Sequence, residues 1–370
     1  MIIPYSKPYY TGHEVEYIRK AMENSKLSGN GIFTQKCEAL LEQRYDVARV
    51  LLTTSCTDAL EIAAHLIDIQ PGDEVIVPSF TFVSTANAFA LKGAKIVFAD
   101  SLENHPNICV KSIRSLITEK TKAIIPVHYA GVPCDMAEIM EIADEHNIYV
   151  IEDAAQAIES NYNGKQLGTI GHMGVFSFHD TKNICSGEGG ALLLNDKSFI
   201  EDAEIIREKG TNRSAFVKGE VDKYGWVSLG SSHIISELSS AFLFAQLREI
   251  DSITKLRQAV WDRYDQGIQN SSLYRKPLIN DKANAHIYFL EFFNGEIRDK
   301  ALQEIKQRGV QCTFHFLPLE QSEYAKLKFP TDKCQHSTYF SNAILRLPMY
   351  SGLTNTEIDT VINTVNNLKF

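Results

Sequence analysis

Tyr149-Val150-Ile151-Glu152-Asp153-Ala154-Ala155-Gln156 is the stretch that decides the fold. Tyr149 to Asp153 reads as a short apolar strand that ends in two carboxylates and runs into small residues. A helical pattern, Met136 to His146, precedes it, and before that comes another apolar strand, Ala123 to Val127. Strands that are apolar throughout need cover on both faces, which a mostly parallel sheet flanked by helices provides. The alternation extends outward in both directions. Towards the N-terminus it takes in strands Arg49 to Leu52, Glu74 to Val77 and Lys95 to Asp100, and helices Thr57 to Ile67 and Thr85 to Leu91. Gln70-Pro71-Gly72-Asp73 is a turn. Towards the C-terminus, Val175 to Phe178 and Ala191 to Leu194 read as two further strands joined by a glycine-rich loop. Glu14 to Met22 reads as a helix with Val15, Ile18 and Met22 on one face, and Thr34 as the N-cap of a second helix containing Cys37, Leu40 and Leu41.

Beyond about Arg248 the texture changes. A long polar helix is predicted over Asp251 to Gln269, a strand over Ile287 to Phe293, and helices over Arg298 to Arg308 and Thr356 to Leu368. The expectation is an α/β large domain over residues 1–248, with an N-terminal arm, and a smaller α+β domain over 249–370. At 370 residues a single simple core is exceeded, which agrees with two units. The net charge of -9 argues against nucleic acid as the main partner, because phosphate backbones require clustered Lys and Arg. Seven scattered cysteines without a C-x-x-C pair read as free thiols in a reducing compartment. Met1 to Pro8 lacks a signal-peptide apolar run, and no stretch approaches the roughly 18 apolar residues of a membrane span. A cytoplasmic enzyme without a membrane partner is expected.

In open parallel sheets, ligands bind at the carboxyl ends of the strands. Four stretches with chemistry follow strands. Thr53-Thr54-Ser55-Cys56-Thr57 sits between a strand and a helix, where free amides and hydroxyls suit a phosphate; a plain N-cap by Ser55 or Thr57 is the competing reading. There is no G-x-x-x-x-G-K-[ST], which argues against an ATP-type loop. Asp153 at the end of a buried strand needs a cation, a protonated pyridine nitrogen being one candidate and a magnesium ion or helix cap the others. Phe176-Ser177-Phe178-His179-Asp180-Thr181-Lys182-Asn183, followed by Gly187-Glu188-Gly189-Gly190, holds a lysine between two apolar strands. Such a lysine can have a lowered pKa and form a Schiff base, and Ser177 can reach a phosphate. His179 lacks a second His or Cys at ligand spacing, so no metal is expected there. Last, Ser79-Phe80-Thr81-Phe82-Val83 offers an aromatic for stacking on a flat ring, or for the core.

The ordered set of a small-residue turn, P-x-F-T-F, E-D-A-A-Q, S-F-x-x-x-K and G-E-G-G resembles the DegT/DnrJ/EryC1/StrS sugar aminotransferases, fold-type-I enzymes that use pyridoxal 5'-phosphate (PLP). The resemblance spans nearly the whole chain. It implies that Lys182 forms the Schiff base and shuttles protons, that Asp153 pairs with the pyridine nitrogen, and that Gln156 lies beside the ring. It further implies that Cys56, Thr57 and Ser177 hold the phosphate and that Phe82 stacks on the ring. Cys56 takes a place that is Gly in the wider family. Ser232, in Gly230-Ser231-Ser232-His233-Ile234, takes the place of an Asn that reaches the neighbouring subunit's phosphate. Stretches such as Pro126-Val127-His128-Tyr129-Ala130-Gly131-Val132 and Ile206 to Ser214 resemble the subgroup that makes dTDP-4-amino-4,6-dideoxygalactose for surface polysaccharide and common antigen. The resemblance therefore implies a homodimer that moves an amino group from L-glutamate to C4 of dTDP-4-keto-6-deoxyglucose. Lys209, Arg213 and His315 are candidate substrate contacts. Alternatives are a dehydratase of the same family, against which Lys182 counts, a sugar 3-aminotransferase, and a non-enzymatic regulator.

Overall fold

The computed structural model describes residues 2–277, 283–331 and 334–369, so both expected domains are described except for the few positions outside these ranges. Seven strands build the main sheet. They are β1 (Arg49–Thr53), β2 (Glu74–Pro78), β3 (Lys95–Ala99), β4 (Thr121–Ile124), β5 (Tyr149–Asp153), then, after the small hairpin β6 (Asn161–Tyr162) and β7 (Lys165–Gln166), β8 (Met173–Ser177) and β9 (Gly190–Leu194). Their spatial order is β1-β9-β8-β5-β4-β2-β3. All are parallel except β9, which runs against both β1 and β8. The fold is the expected α/β fold of fold-type-I PLP enzymes.

Both faces of this sheet are buried, as fully apolar strands require. Val75, Val77, Ile151, Val175 and Leu192 pack on one side with Leu60, Ala63 and Phe89. Phe176, Leu193, Val50 and Leu52 pack on the other with Phe33, Leu41 and Phe244. A second, three-stranded antiparallel sheet consists of β10 (Tyr274–Arg275), β11 (Phe289–Phe292) and β12 (Ile344–Arg346). Its core joins Tyr264, Leu290, Ile305, Leu345 and Val361. Ile3 of the arm belongs to this second core and bridges to Val310. Conversely Leu319, Ala325 and Cys334 pack into the first.

Three local expectations are corrected. The helix α1 (Glu14–Glu23) forms, but Val15 and Met22 face outward and Glu14 and Ala21 are buried. β4 stops at Ile124, before Pro126, rather than continuing to Val127. Thr34 is no N-cap: α2 (Ile32–Tyr45) starts after Gly31, and its first turn is capped from a distance. The Glu237 carboxylate, on the helix Glu237–Arg248, accepts the amides of Gly31 (3.0 Å), Phe33 (2.9 Å) and Thr34 (3.0 Å), together with the Thr34 hydroxyl. A local side-chain cap and a remote carboxylate satisfy the same orphan donors, and only folding chooses between them. A Cβ on Gly31 would lie 2.4 Å from the Glu237 carboxyl carbon, so a larger residue there must displace the capping carboxylate. Glu237→Ala strands three buried amides and is expected to cost about 3 kcal/mol. A lowered thermal midpoint of the apoprotein checks this, with cofactor absorbance on reloading unchanged.

Candidate active site

The sheet register brings the carboxyl ends of several strands to one edge. Thr53 of β1 and Ser177 of β8 both pair with Gly190 of β9, and Asp153 of β5 lies beside Val175 of β8. A cavity of about 650 Å³ opens at this edge. Lys182, Asp153, Gln156, Ser177, Cys56, Thr57, Phe82 and His315 all line it.

The turn between β1 and α3 (Cys56–Leu66) carries the N-cap read from the sequence and lines the cavity with Cys56 and Thr57. Ser55 is the N-cap, accepting from the Asp58 amide at 3.1 Å. The amides of Cys56 and Thr57 belong to the first helical turn, whose donors have no partner within a helix. Asp58 is spent on the turn itself: it accepts from the Thr54 hydroxyl, from the Ser55 hydroxyl at 3.0 Å and pairs with His233 Nδ1 at 2.9 Å. Glu61 lies close to this pair, and the three residues offer ligand atoms within 4.8 Å of one another, a grouping invisible in sequence spacing. Thr57 donates to Ser84 Oγ at 2.8 Å, tying the turn to α4 (Val83–Ala90). β9 crosses immediately behind. A Cβ on Gly190 would sit 2.4 Å from the Cys56 nitrogen. Gly190→Ala must therefore displace the turn, and PLP affinity is expected to fall on the order of 100-fold, through loss of charge-assisted phosphate contacts. Titration of the apoprotein with PLP, followed by absorbance, measures it.

Adjacent carboxylates at the end of β5 go opposite ways, as strand alternation demands. Glu152 is fully buried away from the cavity, bonded to His128 Nε2 (2.9 Å) and to the amides of Gly168 (2.9 Å), Ile170 (2.6 Å) and Gly171 (2.7 Å). Asp153 faces the cavity. Its Oδ2 accepts from Thr85 at 2.8 Å and its Oδ1 from the Ala155 amide at 3.2 Å. Thr85 is held in turn by Thr81 at 2.9 Å. Gln156 Oε1 accepts the Ala130 amide at 2.8 Å, holding a residue at φ +57°. Burial pushes the Lys182 amine below the usual lysine range, while Cys56 and Asp153 pull it back up. Burial and the Asp153 carboxylate push the Cys56 thiol well above its usual range, so it stays protonated. His179 lines the cavity and shares a 2.9 Å hydrogen bond with Thr181. Phe82, 58% exposed, stands at the mouth 6.3 Å from the Phe316 ring.

The sequence reading missed part of the site. Tyr5 of the arm, His286 and Arg346 also line the cavity. Arg346 Nη1 and His315 Nε2 are 2.8 Å apart, and His315 Nδ1 lies 3.0 Å from the Tyr129 hydroxyl. Burial, then the Arg346 charge, pushes His315 well below the usual histidine range, so it is neutral. His286 bonds Asn183 Oδ1 at 2.8 Å. A signal for Arg346 was present in the sequence: a cation inside the apolar run Ile344-Leu345-Arg346-Leu347 needs a reason to be there. Three candidates lie elsewhere. Lys209 and Ser232 are exposed, and Arg213 pairs with Glu208 at 2.5 Å. None of the three lines this chain's own cavity; their segment is bridged to itself, Glu208 to Ser232 and Thr211 to Trp226, and meets the β1–α3 turn where the Thr54 amide donates to the His233 carbonyl at 3.0 Å.

The model of the DegT/DnrJ/EryC1/StrS aminotransferase family matches residues 8–366. The chain belongs to this family. GDP-perosamine synthase of Escherichia coli O157:H7 is 30% identical over 376 residues, covering 98% of each chain. The solved structure of PseC, a Helicobacter pylori aminotransferase involved in the biosynthesis of pseudoaminic acid, superposes with a TM-score of 0.92 at 25% identity, covering 99% of this chain and 98% of that one. A putative sugar aminotransferase of Streptococcus pneumoniae in its PLP form gives 0.91 at 25% identity, covering 99% and 98%. This family member is a PLP-dependent sugar aminotransferase. The cavity fits that cofactor on its own chemistry. It sets free amides and hydroxyls at one end, a buried carboxylate along one wall and a desolvated lysine within the same space. No helix among the described residues is long and apolar enough to cross a membrane.

Proposed function

We propose that this enzyme transfers the amino group of L-glutamate to C4 of dTDP-4-keto-6-deoxyglucose, giving dTDP-4-amino-4,6-dideoxygalactose or its gluco epimer. The observation that carries the reading is the convergence of Lys182, Asp153 and the Cys56–Thr57 turn on one cavity. When bound, PLP supplies a carbonyl carbon that carries nitrogen between substrates and a ring that takes up the electron pair left on carbon. The chain does the rest. Lys182 tethers the cofactor covalently, takes the proton from the α carbon of the donor and returns one to C4 of the keto sugar; its depressed basicity suits both duties. Asp153, oriented by Thr85 and the Ala155 amide, keeps the ring nitrogen protonated. The α3 amides, Ser177 and the neutral Cys56 thiol receive the phosphate. A protonated thiol does not repel an oxyanion, which accounts for cysteine in place of the family's glycine.

Gln156, fixed through Ala130, is placed beside the ring, and Phe82 covers it. His315 contacts the sugar from the small sheet. The division into units 1–248 and 249–370, a homodimer and a cytoplasmic location belong to the same reading. In the dimer, Lys209, Arg213 and Ser232 serve the partner's cavity. Support comes from their position outside their own cavity and from the exposed Phe216, Trp226 and Leu229 on the same segment. The test is turnover of purified enzyme with glutamate and the dTDP-keto sugar, with product NMR. A 3-amino product, an unsaturated sugar or no product at all would overturn the assignment.

A further inference from the structure

We propose that His286 is a positioning residue for Lys182: its Nε2, a bare acceptor in the cavity wall, takes a hydrogen bond from the Lys182 amine whenever that amine is not joined to the cofactor. This rests on Lys182 being the cofactor lysine and adds the residue that aims it. The surroundings of His286 fix its tautomer. Asn183, next in the chain to Lys182, donates through Nδ2 to the Asn284 carbonyl at 3.0 Å, which turns its Oδ1 towards His286. His286 Nδ1 lies 2.8 Å from that oxygen. An amide oxygen only accepts, so Nδ1 carries the proton and Nε2 is left as an acceptor. Nε2 has no partner among the described residues. A histidine that merely filled the core would have both nitrogens satisfied. This one is 4% exposed and lines the cavity together with Lys182.

The backbone that carries the ring is held from two sides. Ala285 sits at φ +53°, a left-handed conformation unfavourable for a residue with a Cβ. The buried Arg257 keeps it there, Nε donating to the Ala285 carbonyl at 3.1 Å and Nη2 to the His286 carbonyl at 2.6 Å. Asn284 closes the other side. It donates to the carbonyls of Gln156 at 3.0 Å and Ile158 at 2.6 Å, while its Oδ1 accepts the His286 amide at 3.1 Å. Backbone strain that is over-determined by buried polar groups belongs to sites where one side chain must not move.

Lys182 is the donor that matches. Its amine has no acceptor among the described residues. Of the groups facing it, Asp153 is occupied by Thr85 and the Ala155 amide, Cys56 is protonated, and Arg346 is a cation. His286 in turn faces Lys182, Arg257, Arg346 and the neutral His315; burial first, and then the Lys182, Arg257 and Arg346 charges, hold it well below the usual histidine range, so its lone pair stays available. A sugar hydroxyl is the competing donor. Position favours the lysine, because the ring is anchored on the residue adjoining Lys182 and shares its wall before any substrate enters. An acceptor there stabilises the ammonium form against burial and keeps the side chain aimed at the reacting carbon.

The experiment compares wild type, His286→Asn and His286→Gln. Asparagine keeps a donor for Asn183 and leaves the Nε2 place empty; glutamine reaches that place with an amide oxygen. In the cofactor-free protein the Lys182 amine is titrated by its rate of acetylation as a function of pH, read by mass spectrometry on the peptide that contains it. Losing an acceptor disfavours the charged amine, so the midpoint in His286→Asn is expected to fall by about one pH unit, with partial recovery in His286→Gln. In the PLP-loaded protein, the glutamate and keto-sugar half-reactions should each slow about 10-fold in His286→Asn, because both use the same amine. Nitrogen NMR of the wild-type ring makes the test independent of how well the variants fold: Nδ1 should be protonated, and the Nε2 resonance should move in Lys182→Ala. An unmoved Lys182 midpoint overturns the proposal, even if thermal stability drops. So does a proton on Nε2, or a loss confined to the keto-sugar half-reaction, which would assign Nε2 to a sugar hydroxyl. If borohydride traps the cofactor on another lysine of the wild type, the site assignment fails instead.

Discussion

Lys182→Ala is expected to abolish the borohydride-trappable link between protein and cofactor and to lower turnover on the order of 10⁴-fold or more. Two duties are lost together. The variant has no amine to tether the cofactor and no acid–base group at the carbon that changes protonation. The cavity itself survives, because the backbone amide of Lys182 bonds the His179 carbonyl at 2.9 Å and keeps the loop in place. The variant should still take up PLP non-covalently through the α3 turn. Mass spectrometry of the reduced and digested wild type should locate the adduct on the peptide containing Lys182. An adduct on a different lysine would refute the assignment of the site.

Asp153→Asn is the second large effect. The substitution keeps size and hydrogen bonding to Thr85 but removes the charge, so a protonated ring nitrogen loses its counter-ion and the ring becomes a poorer electron sink. The turnover number should fall by about 10²- to 10³-fold with PLP binding weakened much less. Glu152→Gln makes the informative contrast. Glu152 is spent on His128 and three amides away from the cavity, so its loss should appear in thermal stability and leave the substrate kinetics nearly intact. If the two variants behaved alike, Asp153 would be a structural group holding the Ala155 turn.

The contrast between Glu152 and Asp153 also shows what one sequence can reveal. Alternation along a strand says that the two carboxylates face opposite ways, but not which one faces the ligand. The order of motifs pointed to Asp153, which is the one that lines the cavity. In the same way Lys182, Ser177 and the Cys56–Thr57 turn were legible, because each follows a strand and lies within a few residues of its own structural signal. Tyr5 and His286 were not, and Arg346 left only the trace of a cation inside an apolar run. Tyr5 comes from the arm, Arg346 from β12 and His286 from the segment just before β11, and they meet at the cavity once Ile3 docks beside Val310 and β12 pairs with β11. Lys209 and Arg213 were singled out for charge alone, and charge does not report direction.

From sequence alone came the parallel α/β sheet, read from apolar periodicity, and, through the family resemblance of the ordered motifs, the cofactor and the lysine expected to meet it; periodicity and motif order are local properties. Tertiary structure alone decided which remote group serves each local need: Glu237 as the cap of α2, Gly190 as the backstop of the β1–α3 turn, and Arg346, without a carboxylate partner among the described residues, in the cavity wall. The physical reason is that hydrogen bonds and charges are satisfied by whatever lies nearest in space, and residues some 200 positions apart, such as Thr34 and Glu237, become neighbours only when their helices pack together.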